Sequence, residues 1–441
     1  MSFKKHLFFP ILSAILLFLP NITFSGGYES AGLGARGSAM GGAFVGVADE
    51  WTAIYWNPAG LAKLKGTKVG VDLYLLNLTN KDPDSVANPT QAGINEARGD
   101  VFFGLYPNQQ VPTINEPSKF NETKTESTSL LPSIGGYKEL KNFTLGFGFY
   151  VPVGTECTWD DKIRDEVLKA DISAEYSNLI GLSVATVCAA KKINEKLSLG
   201  CGLNYVMIKN EREAKKTYKS SLNSLLDYEY SRKENGSGDG FEGIFGLLCN
   251  ANDKLNMGIV YRTGSKLDMD GDVAIDLLKA AISEKSDLYA EFYHPATYGI
   301  GLAYKYTPKL TLACDLARTD WSTMKKKVTF KTPSVLLKDK DESLNWKATN
   351  RYRFGARYQK NENLDFLCGI YTDGAPSPKE AQGITGVVDP KLTVLSVGMS
   401  YKRGNSNSDV NIGYAFGDRK DGVIKYEKEA LAMMITFSRI F

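Results

Sequence analysis

One pattern constrains this chain more than any other: bulky and small residues alternate along segments of about ten residues. Between Tyr298 and Tyr306, the residues Tyr298, Ile300, Leu302, Tyr304 and Tyr306 share one face of an extended strand, while Gly299, Gly301, Ala303 and Lys305 share the other. Val410, Ile412, Tyr414 and Phe416 oppose Asn411, Gly413, Ala415 and Gly417 in the same way. A wall between lipid and a polar lumen requires large apolar residues on one face and small or polar ones on the other. The core face of a soluble sandwich also alternates, so a large secreted all-β protein is the competing class. Such a face seldom ends in tyrosine at both margins.

The start of the chain supports the membrane reading. After Lys4 and Lys5, about 14 mostly apolar residues run from His6 to Leu19, which fits a secretory signal and is too short for a spanning helix. Residues 1–25 are therefore expected to be a signal peptide, although Thr23 and Ser25 depart from the usual small-residue cleavage site. No later stretch is apolar enough to span as a helix, yet 42 glycines and 11% aromatic residues remain. Together these describe an outer-membrane β-barrel. Lys and Arg number 53 against 50 Asp and Glu, so no basic surface points to nucleic acid as a partner.

The alternation predicts strands near 67–79, 131–140, 142–152, 174–190, 196–211, 240–252, 254–264, 296–306, 309–320 (continuing irregularly to 330), 346–358, 363–373, 391–402, 408–418 and 429–441, fourteen in all. Short turns fall at Lys141, Lys191–Lys196, Asn252-Asp253, Thr307-Pro308, Lys360–Asn363 and Gly404–Asn407. The other connections, roughly 80–130, 153–173, 212–239, 265–295, 331–345, 374–390 and 419–428, are long or strongly polar. Short turns on one rim and long loops on the other is the build of bacterial outer-membrane barrels. The last strand places Leu431, Met433, Ile435, Phe437 and Phe441 on one face and ends on an aromatic, which resembles the closing signal read by the barrel-assembly machinery. Arg439 interrupts that face and is expected to reach water at the rim.

Six cysteines show no C-x-x-C and no metal-ligand spacing, and no cofactor motif is present. Strand parity puts Cys188, Cys201, Cys249, Cys314 and Cys368 on the outward face as small hydrophobes. A turn centred near Asn194 and Glu195 would set Cys188 opposite Cys201, leaving open whether those two are bonded.

Residues 26–66 fit neither strand nor linker. Gly32, Gly34 and Gly37 satisfy G-x-G-x-x-G, but no strand precedes them and no βαβ unit surrounds them, so the dinucleotide reading fails. A compact plug inside the lumen accounts better for the glycines and for Phe44, Trp51, Ile54, Tyr55 and Trp56, which an exposed linker would leave in water. Asp49 is expected to cap a short helix from Trp51 to Tyr55, ending before Asn57-Pro58.

The run Gly34-Ala-Arg-Gly-Ser-Ala-Met-Gly41-Gly42-Ala-Phe44, then Ala48-Asp49 and Tyr55-Trp-Asn57-Pro58-Ala59-Gly-Leu61, resembles the hatch of the FadL/TodX family of outer-membrane transport proteins. The resemblance continues through Val151-Pro-Val-Gly154, Thr319-Asp-Trp-Ser322, Asn345-Trp-Lys347 with Arg351 and Gly355, and Tyr371-Thr-Asp-Gly-Ala-Pro376. It implies a fourteen-stranded antiparallel transmembrane β-barrel over 67–441 with an N-terminal hatch over 26–66. It also implies energy-independent passage of a hydrophobic small molecule into the outer-membrane lipid.

For the hatch and gate, the resemblance singles out Asn57, Pro58, Ala59, Asp49, Gly41 and Gly42. It implies lateral release through a kinked third strand, where Gly146, Gly148, Pro152 and Gly154 would weaken pairing, although glycines also line ordinary barrel interiors. Leu222, Leu225 and Leu226, with Leu277, Leu278 and Ile282 at helical spacing, would form an outer capture groove or bury one another. On the tenth strand Lys347, Arg351, Arg353 and Arg357 would point inward. Lys347, Arg351 and Arg353 are candidates for a substrate carboxylate, unless Asp315, Asp365 and Glu242 balance the stripe. Long-chain fatty acids and aromatic or other hydrocarbons are the two substrate classes. A surface receptor or adhesin is the non-transport alternative. A hydrolase would need a histidine with a partner, and beyond the signal only His294 remains.

Overall fold

The computed structural model describes residues 32–82, 123–165, 170–221, 227–277, 282–334, 336–378, 390–421 and 424–441. Residues 1–31, which include the expected signal peptide, and most of the first long loop lie outside them. Among the described residues, eighteen antiparallel strands form one sheet. Fourteen of them close a ring: β1 (Thr67–Asp82), β2 (Thr123–Glu139), β3 (Thr144–Asp165), β4 (Ala170–Lys192), β5 (Leu197–Ser220), β6 (Tyr228–Asn252), β7 (Leu255–Arg262), β10 (Thr297–Lys305), β11 (Leu310–Thr319), β14 (Thr349–Asn361), β15 (Leu364–Asp373), β16 (Leu392–Arg403), β17 (Ser406–Asp421) and β18 (Ile424–Ile440). Closure runs from Lys68 opposite Ile440 to Lys81 opposite Glu427, so no sheet edge is left at the seam. The count equals the one read from alternation.

Side-chain polarity explains why the ring belongs in a bilayer. Val71, Leu73, Phe147, Leu203, Phe245, Ile259, Ile300, Val397, Tyr414 and Phe437 all lie exposed on the outer face. So continuous an apolar belt is tenable only against lipid. On β5 the outward residues Leu199, Leu203 and Met207 give way to Lys209, which pairs with Glu211 at 2.6 Å. That transition after about ten residues is the length a tilted strand needs to cross the hydrocarbon. With 23, 24 and 25 residues, β4, β5 and β6 stand well clear of it on the long-loop side. At the opposite rim, side chains set the turns: Asn194 accepts from Lys196 and Leu197, Asn252 from Lys254 and Leu255, and Thr307 from Lys309 and Leu310.

Four further strands depart from expectation. The fourth long loop is a hairpin of β8 (Ser265–Leu277) and β9 (Ile282–His294), followed outward by β12 (Lys325–Phe330) and β13 (Lys340–Ser343). β6 pairs with β7 near the membrane and with β8 from Tyr230 to Asp239, so the hairpin continues the wall outward. The helical spacing assigned to Leu277, Leu278 and Ile282 is therefore wrong: Leu277 and Ile282 face each other across the hairpin end, and Leu278 lies outside the described residues. Leu267, Met269, Val273 and Ile275 are buried at two-residue spacing between exposed Lys266, Asp268, Asp270 and Asp272, a strand signal that three leucine-type residues near the tip had masked.

Cys188 departs from the expected outward face. Lys192 pairs with Ser198, so the turn contains five residues and Cys188 faces Gly202, not Cys201. A one-residue shift reverses faces. Cys188 consequently points into the lumen, buried, with its thiol near the Ile54 carbonyl, whereas Cys201 is exposed outside and both are free thiols.

Candidate functional site

Residues 32–66 occupy the lumen towards the short-turn rim. They contain α1 (Ala35–Ala39), α2 (Ala53–Trp56) and a 3₁₀ turn at Pro58–Lys63. Inward-facing glycines let them seat. A Cβ on Gly246 would lie 2.2 Å from Asn57 Oδ1, and one on Gly200 would lie 2.4 Å from the Pro58–Ala59 backbone. Asn57 then works three ways: its amide donates to the Val45 and Leu247 carbonyls at 3.0 Å each, and its Oδ1 accepts from Ala59 N–H, capping the 3₁₀ turn. Gly41 and Gly42 both have positive φ, and Gly41 runs so close to the Ile370 backbone that no side chain would fit. Gly32 and Gly37 of the G-x-G-x-x-G run make room for the Trp56 ring.

Asp49 does not cap α2, whose N-cap Thr52 makes no side-chain capping bond. It binds Arg357 at 2.7 Å and Arg36 at 3.5 Å, tying the segment to β14. Burial would raise its pKa, but the two guanidiniums outweigh burial and hold the carboxyl well below the usual range. A helix of four residues has little dipole to draw a carboxylate, and two cations offer more. Asp315 on β11 accepts the Phe44 and Val45 N–H groups at 2.8 Å each.

Above this segment lies a cavity of about 60 Å³. Val45, Val153, Val184 and Val260 form its apolar walls, with Tyr55, Trp56, Tyr150, Glu242, Arg262, His294, Arg351 and Arg353 as polar or aromatic lining. Its size admits a headgroup or a few waters. Of the expected carboxylate ligands, Arg351 and Arg353 reach this cavity. Arg351 is bound to Asp373, with Nε 2.6 Å from Oδ2 and both residues buried, while Arg353 lies over the Trp56 ring at 5.7 Å. Lys347 precedes β14 in irregular backbone and is exposed, so the stripe does not extend to it. The balancing acids are Asp373 and Asp49, one on the adjacent strand and one on the N-terminal segment.

On the wall opposite, a cluster missed in the sequence surrounds Glu242: Asn204 donates to Oε1 at 2.7 Å, His294 Nδ1 lies 2.9 Å from Oε2, and Arg262 lies 3.5 Å away. His294 thus has an acidic neighbour 52 positions earlier in the chain, a contact made by strand register alone. Inward parity of Arg262 beside outward Tyr261 was the one available signal.

Where β3 bends, the wall changes. Tyr150 pairs with Val184 and Val153 with Leu182, so three residues advance against two and the strand carries a bulge containing Val151 and Pro152. The β2–β3 ladder ends at Ile134 opposite Phe149. Beyond it β2 pairs only with β1 and β3 only with β4. Each edge carries a proline, Pro132 and Pro152, with no N–H to offer. Leu131 fills the opening against Gly154, where a Cβ would lie 2.5 Å from the leucine side chain. Gly146 and Gly148 are elsewhere: both remain paired on each side, and they accommodate Leu61 and Ile54 of the N-terminal segment. The cavity touches the bulge through Tyr150, Pro152 and Val153.

A larger chamber of about 310 Å³ lies further out, between the upper parts of β5 and β6, the β8–β9 hairpin and β12. Met269, Leu288, Phe292, Met324, Val328 and Leu344 line it, with Arg212, Glu291, Lys325 and Lys327 at its margin. Glu291, held down at about 2 chiefly by the hydrogen bond from Lys327 and then by that from Tyr293, stays ionised. The volume lies at the lower end for small-molecule pockets. Of the expected groove residues, Leu222, Leu225, Leu226 and Leu278 lie outside the described residues, and Leu277 is not among the described residues that line this chamber.

The family described as Outer membrane protein transport protein (OMPP1/FadL/TodX) matches residues 17–438. An outer membrane protein of Neisseria meningitidis serogroup B is 24% identical over 422 residues, covering 86% of this chain and 84% of that one. The long-chain fatty acid transport protein of Escherichia coli K12 is 24% identical over 215 residues, 45% of this chain and 48% of its own. Among solved structures, a Pseudomonas aeruginosa FadL homologue superposes with TM-score 0.67 at 14% identity, covering 95% of this chain and 100% of that one. The P. putida toluene transporter TodX gives 0.66 at 16%, covering 93% and 99%.

Proposed function

Because the chain belongs to the OMPP1/FadL/TodX family of outer-membrane transport proteins, we propose that it takes up long-chain fatty acids by passive diffusion and releases them sideways into the membrane. The outer chamber captures the apolar tail, the lumenal cavity receives the headgroup, and the N-terminal segment acts as a hatch towards the periplasm. The opening between β2 and β3 beside the Tyr150–Val153 bulge is the exit. The observation that carries this reading is the β2–β3 ladder stopping where the cavity meets the wall. Open backbone edges at membrane depth are costly and are tolerated where they serve a passage. A hydrophobic solute gains from leaving water at each stage, so no energy source is required.

The second reading, uptake of aromatic or other hydrocarbons, is favoured by the pairing of Arg351 with Asp373 and Arg357 with Asp49, which removes much of the charge a carboxylate would seek. The route is the same for both.

A staple across the exit tests it. In a background with the native cysteines replaced by serine, Leu131→Cys with Gly154→Cys is expected to form a disulfide and to reduce vesicle uptake of a labelled fatty acid at least about tenfold, with recovery on reduction. Uptake that continues with the bond formed would remove the lateral exit from the mechanism.

A further inference from the structure

We propose that the short-turn rim is a binding surface for the anionic phospholipid headgroups of the periplasmic leaflet, made by a ring of lysines to which every turn contributes. The inference goes beyond uptake and does not depend on it. Lys141, Lys196, Lys254, Lys309, Lys360 and Lys402 lie in or beside the six short connections, one to each, and all are exposed. Lys138, Lys191, Lys305 and Arg403 are exposed on the same rim and add to the charge. Of the acids in these connections, Glu139 lies 2.7 Å from Lys65 and Glu195 lies 2.7 Å from Lys192, which leaves Asp253 and Glu362 to balance the rest.

The excess belongs to one end of the barrel. Among the described residues above the membrane, outward cations meet acids: Lys209 pairs with Glu211 at 2.6 Å, Lys215 and Lys233 with Glu213 at 3.1 and 3.3 Å, and Lys331 with Asp287 at 2.9 Å. Exposed pairs of this kind leave little net field. A rim of cations in which most acids are already taken attracts anions from its surroundings.

Depth and distribution identify the occupant. Tyr304, Tyr358, Phe366, Tyr401 and Phe441 are exposed on the outer face beside these cations. Aromatic residues in such a belt mark the level at which hydrocarbon gives way to headgroups. Lys360 lies over the Phe366 ring at 5.8 Å and Arg439 over the Phe441 ring at 5.7 Å, so the cations begin at the belt and reach past it. The connections join successive strand pairs around the closed ring, and the charge therefore surrounds the barrel. A soluble acidic partner would cover one sector or the mouth, whereas the surrounding leaflet meets every turn. Each ammonium group attracts lipid phosphates within a Debye length, and together they hold the barrel at a fixed depth on the side where its turns are short.

The test uses the full-length protein in phosphatidylcholine vesicles with trace spin-labelled phosphatidylglycerol or phosphatidylcholine, the immobilised fraction of label reporting lipid at the protein surface. Phosphatidylglycerol is expected to be favoured about threefold at low salt, with the ratio falling close to one in 1 M salt, where the Debye length is about 3 Å. Replacing all six ring lysines by glutamine should bring the ratio close to one. The triple variant Lys196→Gln/Lys309→Gln/Lys402→Gln should lower it to about twofold, and it keeps the test open if the sixfold variant does not migrate as a folded barrel. Lys209→Gln/Lys215→Gln/Lys233→Gln removes the same charge from the other end and should leave the ratio as in wild type. A preference that survives 1 M salt, or one that both triple variants lower equally, overturns the proposal. An unchanged ratio in the folded rim variants also overturns it and gives the ring to a soluble acidic partner.

Discussion

At the scale of single residues, the channel depends on where side chains are missing. Gly246 and Gly200 leave room for Asn57, Pro58 and Ala59, and Gly246→Val would press on the amide that holds three backbone groups. The expected result is a folded barrel whose N-terminal lumenal segment is displaced, destabilised locally by about 1–3 kcal/mol and cleaved by protease within residues 53–66 faster than wild type. Equal resistance in both would mean that the wall yields instead. The Asp49–Arg357 pair makes the N-terminal segment sensitive to acid. Its carboxyl sits below the ordinary value when folded, so its contribution is fully present above the unfolded pKa of about 4 and is lost only as pH falls through the lower folded value. Protection of residues 32–66 against exchange should therefore persist at pH 4 in wild type, and Asp49→Asn should lose part of it already at pH 7. A pH 7 profile identical in the two would show that the pair adds nothing.

At the scale of elements, the bulge in β3 and the hairpin above the membrane matter most. Removing one residue of the bulge by deleting Val151 would let β3 advance in step with β4 and shift Pro152 and Gly154 to new partners. Expected is a closed β2–β3 ladder with fatty-acid uptake reduced at least about tenfold in vesicles, the protein still migrating as a folded barrel. Undiminished uptake would place the exit elsewhere. The break in pairing was legible from Pro152, whereas Gly146 and Gly148 are paired on both sides, because a bare inner face looks the same whether it weakens a ladder or receives Ile54 and Leu61. The β8–β9 hairpin leaves no such signal in the sequence's hydropathy. Outside the membrane neither face meets lipid, so a strand such as Lys266–Asp276 alternates charge with buried apolar residues and resembles a polar loop when judged by hydropathy.

At the scale of the whole molecule, the sequence determined what lipid dictates. Residues facing the hydrocarbon must be apolar and backbone groups there must be paired nearly throughout, so the alternation carries strand number, closure and the short-turn rim without reference to any partner. The packing of the glycine-rich segment 32–66 and its Asn57-Pro58-Ala59 turn inside the lumen was legible for a related reason: backbone packed against backbone leaves no choice of residue. Only the tertiary structure decided the rest. It turned Cys188 inward through one extra turn residue, withdrew Lys347 from the lumen, bound Arg351 to Asp373 and brought His294, Glu242, Arg262 and Tyr150 together from β9, β6, β7 and β3. Those lumenal contacts depend on register and on which charge stands across the barrel, and a two-residue period records which face a side chain takes but not which residue it meets there.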